Sequence, residues 1–424
     1  MNIIDIINKK RLKKELTKEE LEFVINGYLE QRIDDAQMSS LLMAICINNM
    51  SYKEIFDLTD IFLNSGDKLD LSEIDSIKVD KHSTGGIGDK TTLVLVPLVA
   101  STGVTVAKMS GRSLGFTGGT IDKLESIPNF KTALSVEEFT NQVKEIGCAV
   151  ASQTGNLVPA DKKVYALRDV TGTVESLPLI ASSIMSKKLA SGVDKIVIDL
   201  KVGDGALVKT LEEAKILGDI MVQIGKHYQK EVVCVVTNMN EPLGYAIGNT
   251  LEVLEAIDTL KGDGPEDLRN VVLTLGSYMV SMAKGITYGQ AGKELSQNLK
   301  NGKAYDKFVE MVNRQNGDLE KLEKSSKVFS IKSKETGFIK EIKAQKLGEL
   351  VRSIGGGRYH KDDIIDFNVG FVLSKKVNDY VLEDEELIKI YLGDKDINVN
   401  EVLDCFVIDM EMNPNKTLIY GVIK

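Results

Sequence analysis

Two glycine-rich segments combine cationic and hydroxyl side chains in a way that suits an anion. The first reads KHSTGGIGDKTTL (residues 81–93), and the second reads KMSGRSLGFTGGTIDKLES (residues 108–126). Each follows a strand-like apolar run, so each lies where a strand ends and a helix begins. Free backbone N–H groups and the helix dipole favour an anion at such a position, and glycine lets the backbone approach it closely.

The side chains around these glycines support a phosphate site. The first segment supplies Lys81, Ser83, Lys90, Thr91 and Thr92, and the second supplies Lys108, Ser110, Arg112, Thr117 and Thr120. Loops that follow neighbouring parallel strands face one crevice, so the two segments together predict phosphate binding. Tight turns alone would explain the glycines but not the clustered donors. The P-loop pattern GxxxxGK[ST] is not matched, because it would need glycine at Thr84 and Asp89.

A third segment, residues 159–192, carries groups suited to a flat polar ring. Tyr165 and Arg168 are three residues apart, and Ser183 and Lys187 are four apart, so on helices each pair shares a face. These side chains can recognise a ring with carbonyl and N–H edges, although on spacing alone solvated surface positions are the stronger interpretation. Of the three histidines, His82 adjoins the first loop and is placed for proton transfer. The other two, His227 and His360, are expected at the surface.

The elements that must position these groups fall into three blocks. The first sixty or so residues have helical spacing, with a capping box at Thr17–Glu20, and residues 159–189 are helical again. Buried strands are predicted at 76–81, 104–108, 195–202 and 231–238. We therefore predict an α/β fold with a separate all-helical domain, a mixed or parallel central sheet and a small C-terminal α+β domain. The predicted domains are helical (1–65 and 160–193), α/β and phosphate-binding (66–159 and 194–330), and C-terminal (331–424).

Composition excludes several classes of protein. A net charge of −9 argues against a nucleic-acid-binding protein. The apolar run Leu93–Ala100 is too short to span a membrane, and the N-terminus lacks a signal-peptide pattern. The four cysteines are far apart and form no CxxC pair, which indicates a reducing compartment. A cytoplasmic protein is expected.

Three motifs then carry a family resemblance. VDKHSTGGIGDKTTL, SGRSLGFTGGTIDKLES and PADKKVYALRDVTGTVESLPLIASSIMSKK together resemble the pyrimidine-nucleoside and thymidine phosphorylases, and PLGYAIGNTLEVLEAIDTLKGDGPEDL extends the likeness. The resemblance implies a homodimer whose helical and α/β domains close over a cleft. It implies reversible phosphorolysis of a pyrimidine (deoxy)ribonucleoside to free base and (deoxy)ribose 1-phosphate, in nucleoside salvage. Inorganic phosphate is then the co-substrate, and no organic cofactor is expected.

The resemblance also implies roles for individual residues. Phosphate would be held by Lys81, Ser83, Thr92, Lys108, Ser110 and Thr120. The base would be held by Tyr165, Arg168, Ser183 and Lys187. Charge on the leaving base would be stabilised by Arg168, Lys187 and a protonated His82. Some members bind potassium beside the phosphate loop, and the matching positions are Gly88, Lys90, Leu243, Ala246 and Glu255.

Four positions depart from the family pattern. Ser113 stands where glycine is common, Phe116 where histidine is common, Leu207 where phenylalanine is usual, and Lys90 where a small or hydroxyl residue is frequent. A lysine at position 90 places a cation beside the implied potassium site. The open alternatives are a strict thymidine phosphorylase, a related phosphoribosyltransferase and a non-catalytic binding protein. The retained Lys81, Arg168 and Lys187 argue against the last.

Overall fold

The computed structural model describes residues 1–112, 118–153, 156–360 and 362–424. The predicted departures Ser113 and Phe116, together with Thr117, lie outside the described residues. The helices are α1 (Ile3–Arg11), α2 (Lys18–Leu29), α3 (Asp35–Asn48), α4 (Tyr52–Leu63), α5 (Thr91–Ala100), α6 (Thr120–Glu125), α7 (Val136–Ile146), α8 (Pro159–Thr171), α9 (Leu177–Ala190), α10 (Leu211–His227), α11 (Asn249–Leu260), α12 (Glu266–Lys284), α13 (Tyr288–Lys300), α14 (Lys303–Arg314), α15 (Ala344–Val351) and α16 (Val399–Leu403). A 3₁₀ turn at Leu319–Lys321 and a π-helical turn at Arg352–Gly356 complete the helical segments.

The strands form three sheets. Their bounds are β1 (Lys78–Ser83), β2 (Thr105–Ser110), β3 (Cys148–Ser152), β4 (Lys195–Val202), β5 (Glu231–Asn238), β6 (Ala246–Ile247), β7 (Lys327–Lys332), β8 (Gly337–Ile342), β9 (Gly370–Leu373), β10 (Tyr380–Val381), β11 (Glu386–Leu392), β12 (Phe406–Asp409) and β13 (Ile419–Ile423). The central sheet has the order β13-β5-β4-β1-β2-β3, and the two smaller sheets have the orders β10-β8-β12 and β6-β9-β11-β7. The predicted fold class is confirmed.

The N-terminal helices form a bundle because each presents an apolar stripe. Side chains of α1 to α4 share one hydrophobic cluster with α8 and with Leu179 of α9. The predicted capping box before α2 is present, since the Thr17 side chain accepts from Glu20 N and Glu20 reaches back to Thr17 N. The same box, formed by Thr210 and Glu213, precedes α10. A capping residue at the start of a helix and an apolar face along it are both local signals, which explains why the helices of this part could be predicted from the sequence.

The central sheet is covered on both faces, as expected for parallel strands. Strands β1 to β5 pair in parallel, and only β13 joins antiparallel within the described residues. Alternate residues of each strand enter different clusters: Val197 and Val235 pack with α5 and α12, whereas Ile198 and Val236 pack with α9 and α10. This arrangement places the carboxyl ends of β1, β2 and β4 side by side.

The predicted C-terminal domain exchanges strands with the rest of the chain. The final strand β13 pairs with β5 in the central sheet, and the two-residue strand β6 pairs with β9 in a C-terminal sheet. Neither pairing was predicted, and β3 was also missed. The domain limits themselves stay a prediction. No helix in the described part of the chain is long and apolar enough to cross a membrane.

Candidate active site

Both glycine-rich loops leave the carboxyl edge of the central sheet. The first follows β1 and leads into α5, and the second follows β2 and leads towards α6. Ser83 and Ser110 end these neighbouring parallel strands and are partly exposed, while Thr92 is buried in the first turn of α5. Thr120 begins α6 and is partly exposed. The predicted hydroxyl groups therefore lie at one edge of the sheet, where the fold gives an anion access.

The predicted lysines of the two loops meet beneath this edge. Lys81 and Lys108 are 2% and 3% exposed, and the Lys108 ammonium donates to the Lys81 carbonyl oxygen at 2.7 Å. The Lys81 ammonium donates to the Thr91 hydroxyl and lies 3.3 Å from the Asp199 carboxylate. The structure thus brings the two predicted phosphate-binding ammonium groups into one buried cluster.

Two further lysines, missed from the sequence, belong to the same cluster. Lys201 on β4 lies 2.9 Å from Asp199, and Lys188 on α9 contacts Asp80 at 2.5 Å. Asp89 lies 3.9 Å from both Lys81 and Lys201. The cluster consists of four lysines (81, 108, 188 and 201) and three aspartates (80, 89 and 199), so fully ionised it carries one excess positive charge. That excess suits an anionic ligand.

The titration behaviour follows from this crowding. Burial, against the opposing effect of Asp80 and together with the neighbouring charges of Lys188 and Lys81, lowers the pKa of Lys108 to about 7. The pKa of the Asp89 carboxyl is held well below its usual range by Lys201 and Lys81, against the effect of burial. The free cluster therefore holds Lys108 close to the point of losing its proton, and a bound dianion would reverse that.

The loop after β2 is braced by local ion pairs. The guanidinium of Arg112 contacts Glu125, and the Asp122 carboxylate accepts from Gly119 N at 2.8 Å. Arg358, from the C-terminal part of the chain, contacts the same Asp122 at 2.7 Å. Lys123 lies 3.4 Å from Glu252. Asp122, Lys123 and Glu125 therefore act as capping and ion-pair groups, and Arg112 is a local brace.

The predicted base-binding groups come together where α8 meets α9. The Arg168 guanidinium lies 5.7 Å from the centre of the Tyr165 ring, and the Lys187 ammonium lies 5.8 Å from it. Lys187 also donates to the Ser183 hydroxyl at 2.7 Å. Tyr165 is 41% exposed, so this cation-flanked ring is open to a ligand. The spacing argument alone favoured solvated surface positions for Arg168 and Lys187, and that interpretation is wrong for Arg168, which is 1% exposed.

Two features of this group were not visible in the sequence. Arg168 donates to three backbone carbonyls, those of Thr173, Val174 and Leu179, at 3.1, 2.7 and 3.3 Å. Its fork fixes the turn between α8 and α9. Lys187 also contacts the carboxylate of Asp161, which is 1% exposed. Asp161 lies in the PADKK motif, and its place in that motif, rather than its burial, is the signal in the sequence that could have pointed to it.

His82 lies on β1, within electrostatic reach of lysines from both the phosphate cluster and the base group. Burial lowers its pKa well below the usual range, and four ammonium groups add to that effect: Lys188, Lys108, Lys187 and Lys81. The imidazole of the free protein is therefore neutral at pH 7, in contrast to the protonated form expected from the resemblance. His227 and His360 are exposed, as predicted.

Comparisons with known proteins agree along the whole chain. Models of the glycosyl transferase family match at residues 4–66 (helical bundle domain) and 75–305 (a/b domain), and a pyrimidine nucleoside phosphorylase C-terminal domain matches at 338–409. Pyrimidine-nucleoside phosphorylases of Bacillus subtilis and Staphylococcus epidermidis are both 52% identical to it, over 410 and 405 residues. These alignments cover 95% and 94% of this chain and 94% of each relative. The chain belongs to the pyrimidine-nucleoside phosphorylase family.

A solved structure extends the likeness at the level of the fold. Anthranilate phosphoribosyltransferase from Thermus thermophilus superimposes with a TM-score of 0.57, covering 73% of this chain and 99% of that one at 16% identity. The two proteins therefore share an architecture. The pyrimidine-nucleoside phosphorylase of Geobacillus stearothermophilus is 51% identical over 398 residues, which cover 92% of each chain.

The positions at which the family resemblance implies potassium hold an ammonium group here. Lys90 Nζ donates to the carbonyl oxygens of Leu243 and Ala246, both at 2.8 Å, and contacts the Glu255 carboxylate at 2.5 Å. Gly88 adjoins this point, because a Cβ there would lie 2.7 Å from the Leu243 oxygen. The residues present do not fit an additional cation. Leu207, the other departure with a described position, lies in the loop after β4 and packs, partly buried, against the hydrophobic core.

Proposed function

We propose that this protein catalyses the reversible phosphorolysis of a pyrimidine ribonucleoside or deoxyribonucleoside. The products are the free base and ribose or deoxyribose 1-phosphate. The observation that carries the proposal is the position of two consecutive lysines on α9. Lys187 contacts Asp161 and Ser183 in the base group, whereas Lys188 contacts Asp80 in the phosphate cluster. One helix end therefore joins an anion site to a site for a flat polar ring.

In this mechanism phosphate is the nucleophile. Lys81, Lys108 and the hydroxyl groups of Ser83, Ser110, Thr92 and Thr120 hold it in line with C1′ of the sugar. A phosphate oxygen forms a bond to C1′ while the C1′–N bond breaks, and its electron pair leaves with the base. The sugar passes through a state with positive charge, which the bound dianion stabilises. Holding both reactants in one crevice replaces an encounter in solution.

The leaving base carries negative charge over its ring nitrogen and carbonyl oxygens. The ammonium of Lys187 and the guanidinium of Arg168 lie beside the Tyr165 ring and stabilise that charge. Neutral His82 supplies an N–H donor to a carbonyl oxygen of the base. The proton that neutralises the leaving base comes from water or from a protonated group of the occupied site. Phe116 lies outside the described residues and has no titratable group, so it takes no part in proton transfer.

The decisive test is cleavage of thymidine, uridine and deoxyuridine side by side, with separation of the products. We expect base release that requires phosphate and yields a sugar 1-phosphate. Cleavage of thymidine alone would favour a strict thymidine phosphorylase. Synthesis of a nucleotide with release of pyrophosphate from a phosphoribosyl donor would favour the phosphoribosyltransferase alternative. Base release at the same rate without phosphate would contradict the proposal.

We further propose a homodimer formed through the helical bundle. The packed helices α1, α3 and α8 expose Ile4, Met43, Ile47 and Val170, of which Ile47 and Val170 are 71% and 78% exposed. Light scattering should give twice the chain mass of 46.6 kDa. Ile47→Glu should shift the mass towards the monomer, while Leu382→Glu, at an exposed apolar site in the C-terminal part, should not.

The four cysteines are free thiols, which supports a reducing, cytoplasmic location.

A further inference from the structure

Lys90 places a charged group in the interior of the molecule. The residue precedes α5, at the end of the phosphate-binding loop, and its side chain is fully buried. Its ammonium group has three hydrogen-bond donors, and three acceptors surround it: two backbone carbonyls of the 243–246 loop and the carboxylate of Glu255 on α11. Each donor therefore has a partner.

The acceptor set has the character of a monovalent-cation site. Carbonyl and carboxylate oxygens are the ligands that hard cations take in proteins. The Glu255 carboxylate is itself oriented by backbone N–H groups, those of Tyr245 at 2.9 Å and Ala246 at 3.1 Å. The loop thus turns its carbonyls towards one point and fixes the anion that balances the charge there.

Packing leaves no room for a second cation beside the ammonium group. Gly88 and Gly244 both have positive φ, 70° in each case, and line the point of convergence. A Cβ on Gly244 would lie 2.3 Å from a Glu255 oxygen and 3.1 Å from Lys90 Nζ. The buried ammonium of Lys376 donates to the Gly244 carbonyl at 3.0 Å and lies 3.0 Å from the Asp267 carboxylate. The oxygens of this loop are therefore already shared between two lysines, and an additional ion would compete with Lys90 for the same acceptors.

We propose that the Lys90 ammonium is a built-in monovalent cation. It replaces the potassium ion that the family resemblance implies, and it fixes the phosphate-binding loop to the 243–246 loop and to α11. The protein therefore needs no potassium for stability. The claim that catalysis needs no potassium rests on the proposed phosphorolysis. The claim that folding stability needs no potassium does not depend on the proposed function.

The test compares thermal stability in chloride salts of potassium, sodium and choline at equal ionic strength. Wild-type protein should melt within about 1 °C in all three. Lys90→Thr removes the ammonium and leaves the carbonyls and Glu255, so it should be destabilised in choline and recover about 2–4 °C in saturating potassium. The matched control is Lys10→Thr, which removes another buried lysine whose ammonium contacts the Glu54 carboxylate at 2.7 Å. It should lose stability without a potassium-specific recovery.

A direct readout is anomalous scattering from crystals soaked in thallium(I), a potassium substitute. Thallium should bind between the Leu243 and Ala246 carbonyls in Lys90→Thr and not in the wild type. Potassium-specific stabilisation of the wild type, or thallium at those carbonyls in the wild type, would overturn the proposal whether or not the variant folds. So would a Lys90→Thr variant that responds to potassium no more than Lys10→Thr does. Absence of phosphorolysis would reject the proposed function and leave these measurements decisive.

Discussion

Binding of phosphate should draw a proton onto Lys108. The pKa of this buried ammonium is about 7 in the free protein, so at pH 8.5 only about 3% of the molecules carry the proton. Inorganic phosphate is already mainly a dianion at this pH. A dianion among Lys81, Lys108 and Lys188 offsets their mutual repulsion and returns the Lys108 pKa towards its ordinary value. Uptake of about 0.9 proton per bound phosphate is expected.

The assay is isothermal titration of phosphate at pH 8.5 in buffers that differ in ionisation enthalpy. The slope of the observed heat against that enthalpy gives the number of protons taken up. At pH 6 Lys108 is already charged, so its contribution should fall close to zero. The same titrations give the affinity, which for the dianion should weaken by up to about 30-fold between pH 6 and pH 8.5, because the wild type must acquire the proton to bind.

Two results would refute this reasoning. One is uptake below about 0.2 proton at pH 8.5 in the wild type. The other is unchanged uptake in Lys108→Met, which keeps the volume of the side chain and removes the titrating group. Lys108→Met should instead bind phosphate about 10–100-fold more weakly at pH 6, since one charge-assisted hydrogen bond is lost. Its deficit should shrink as pH rises.

The remaining predictions concern stability and the base group. In the free protein, Lys108→Met should be more stable than the wild type at pH 6. This advantage should shrink as pH rises from 7 to 10, because the folded wild type holds fewer protons than the unfolded chain over that range and is therefore stabilised by rising pH. Urea unfolding at several pH values measures the difference. Lys187→Met should lower the free energy of unfolding by about 2–4 kcal/mol, because it leaves the Asp161 carboxylate buried without its cation. Adding Asp161→Asn should restore stability but not turnover, and recovery of kcat in the double variant would contradict the role of Lys187. Arg168→Lys should lose about 2–4 kcal/mol, because one ammonium cannot reach three carbonyls, and kcat/KM should fall about 10–100-fold; wild-type melting and kinetics would count against the brace.

Local signals made much of the fold predictable. Thr17 and Thr210 begin helices because each forms a capping box with a glutamate three residues later. The strands at 195–202 and 231–238 were readable because continuous apolar runs are typical of parallel strands buried on both faces. Strand β3 was missed because CAVAS is short and made of small residues. Strand β13 was missed because its pairing with β5 joins residues nearly two hundred positions apart, and no local pattern encodes such a contact.

The candidate site was predictable where chemistry lies in loops and less so where it lies in the core. Glycines and hydroxyl groups marked the two phosphate loops. Asp80, Asp199 and Lys201 carry an equally clear signal, since each is a charge within a strand that otherwise reads as buried. Buried charges need partners, so three such residues on adjacent strands predict an ion cluster. The lowered pKa values of Lys108 and His82 depend first on their burial and then on how closely these charges converge, and only the packed structure gives both.

The end of α9 shows why the functional link could not be read from the sequence. Lys187 and Lys188 are identical neighbours in the chain, yet Lys187 is partly exposed beside Tyr165 while Lys188 is 1% exposed beside Asp80. Successive residues on a helix point about 100° apart, so neighbouring side chains of a helix that packs between two layers contact different partners. That position arises because α9 packs on α4 of the bundle and on α10 of the sheet layer at once. A lysine pair typical of a solvated helix end thereby connects the anion cluster to the site for the flat ring. The role of each lysine is determined by the elements that surround α9 rather than by the local sequence.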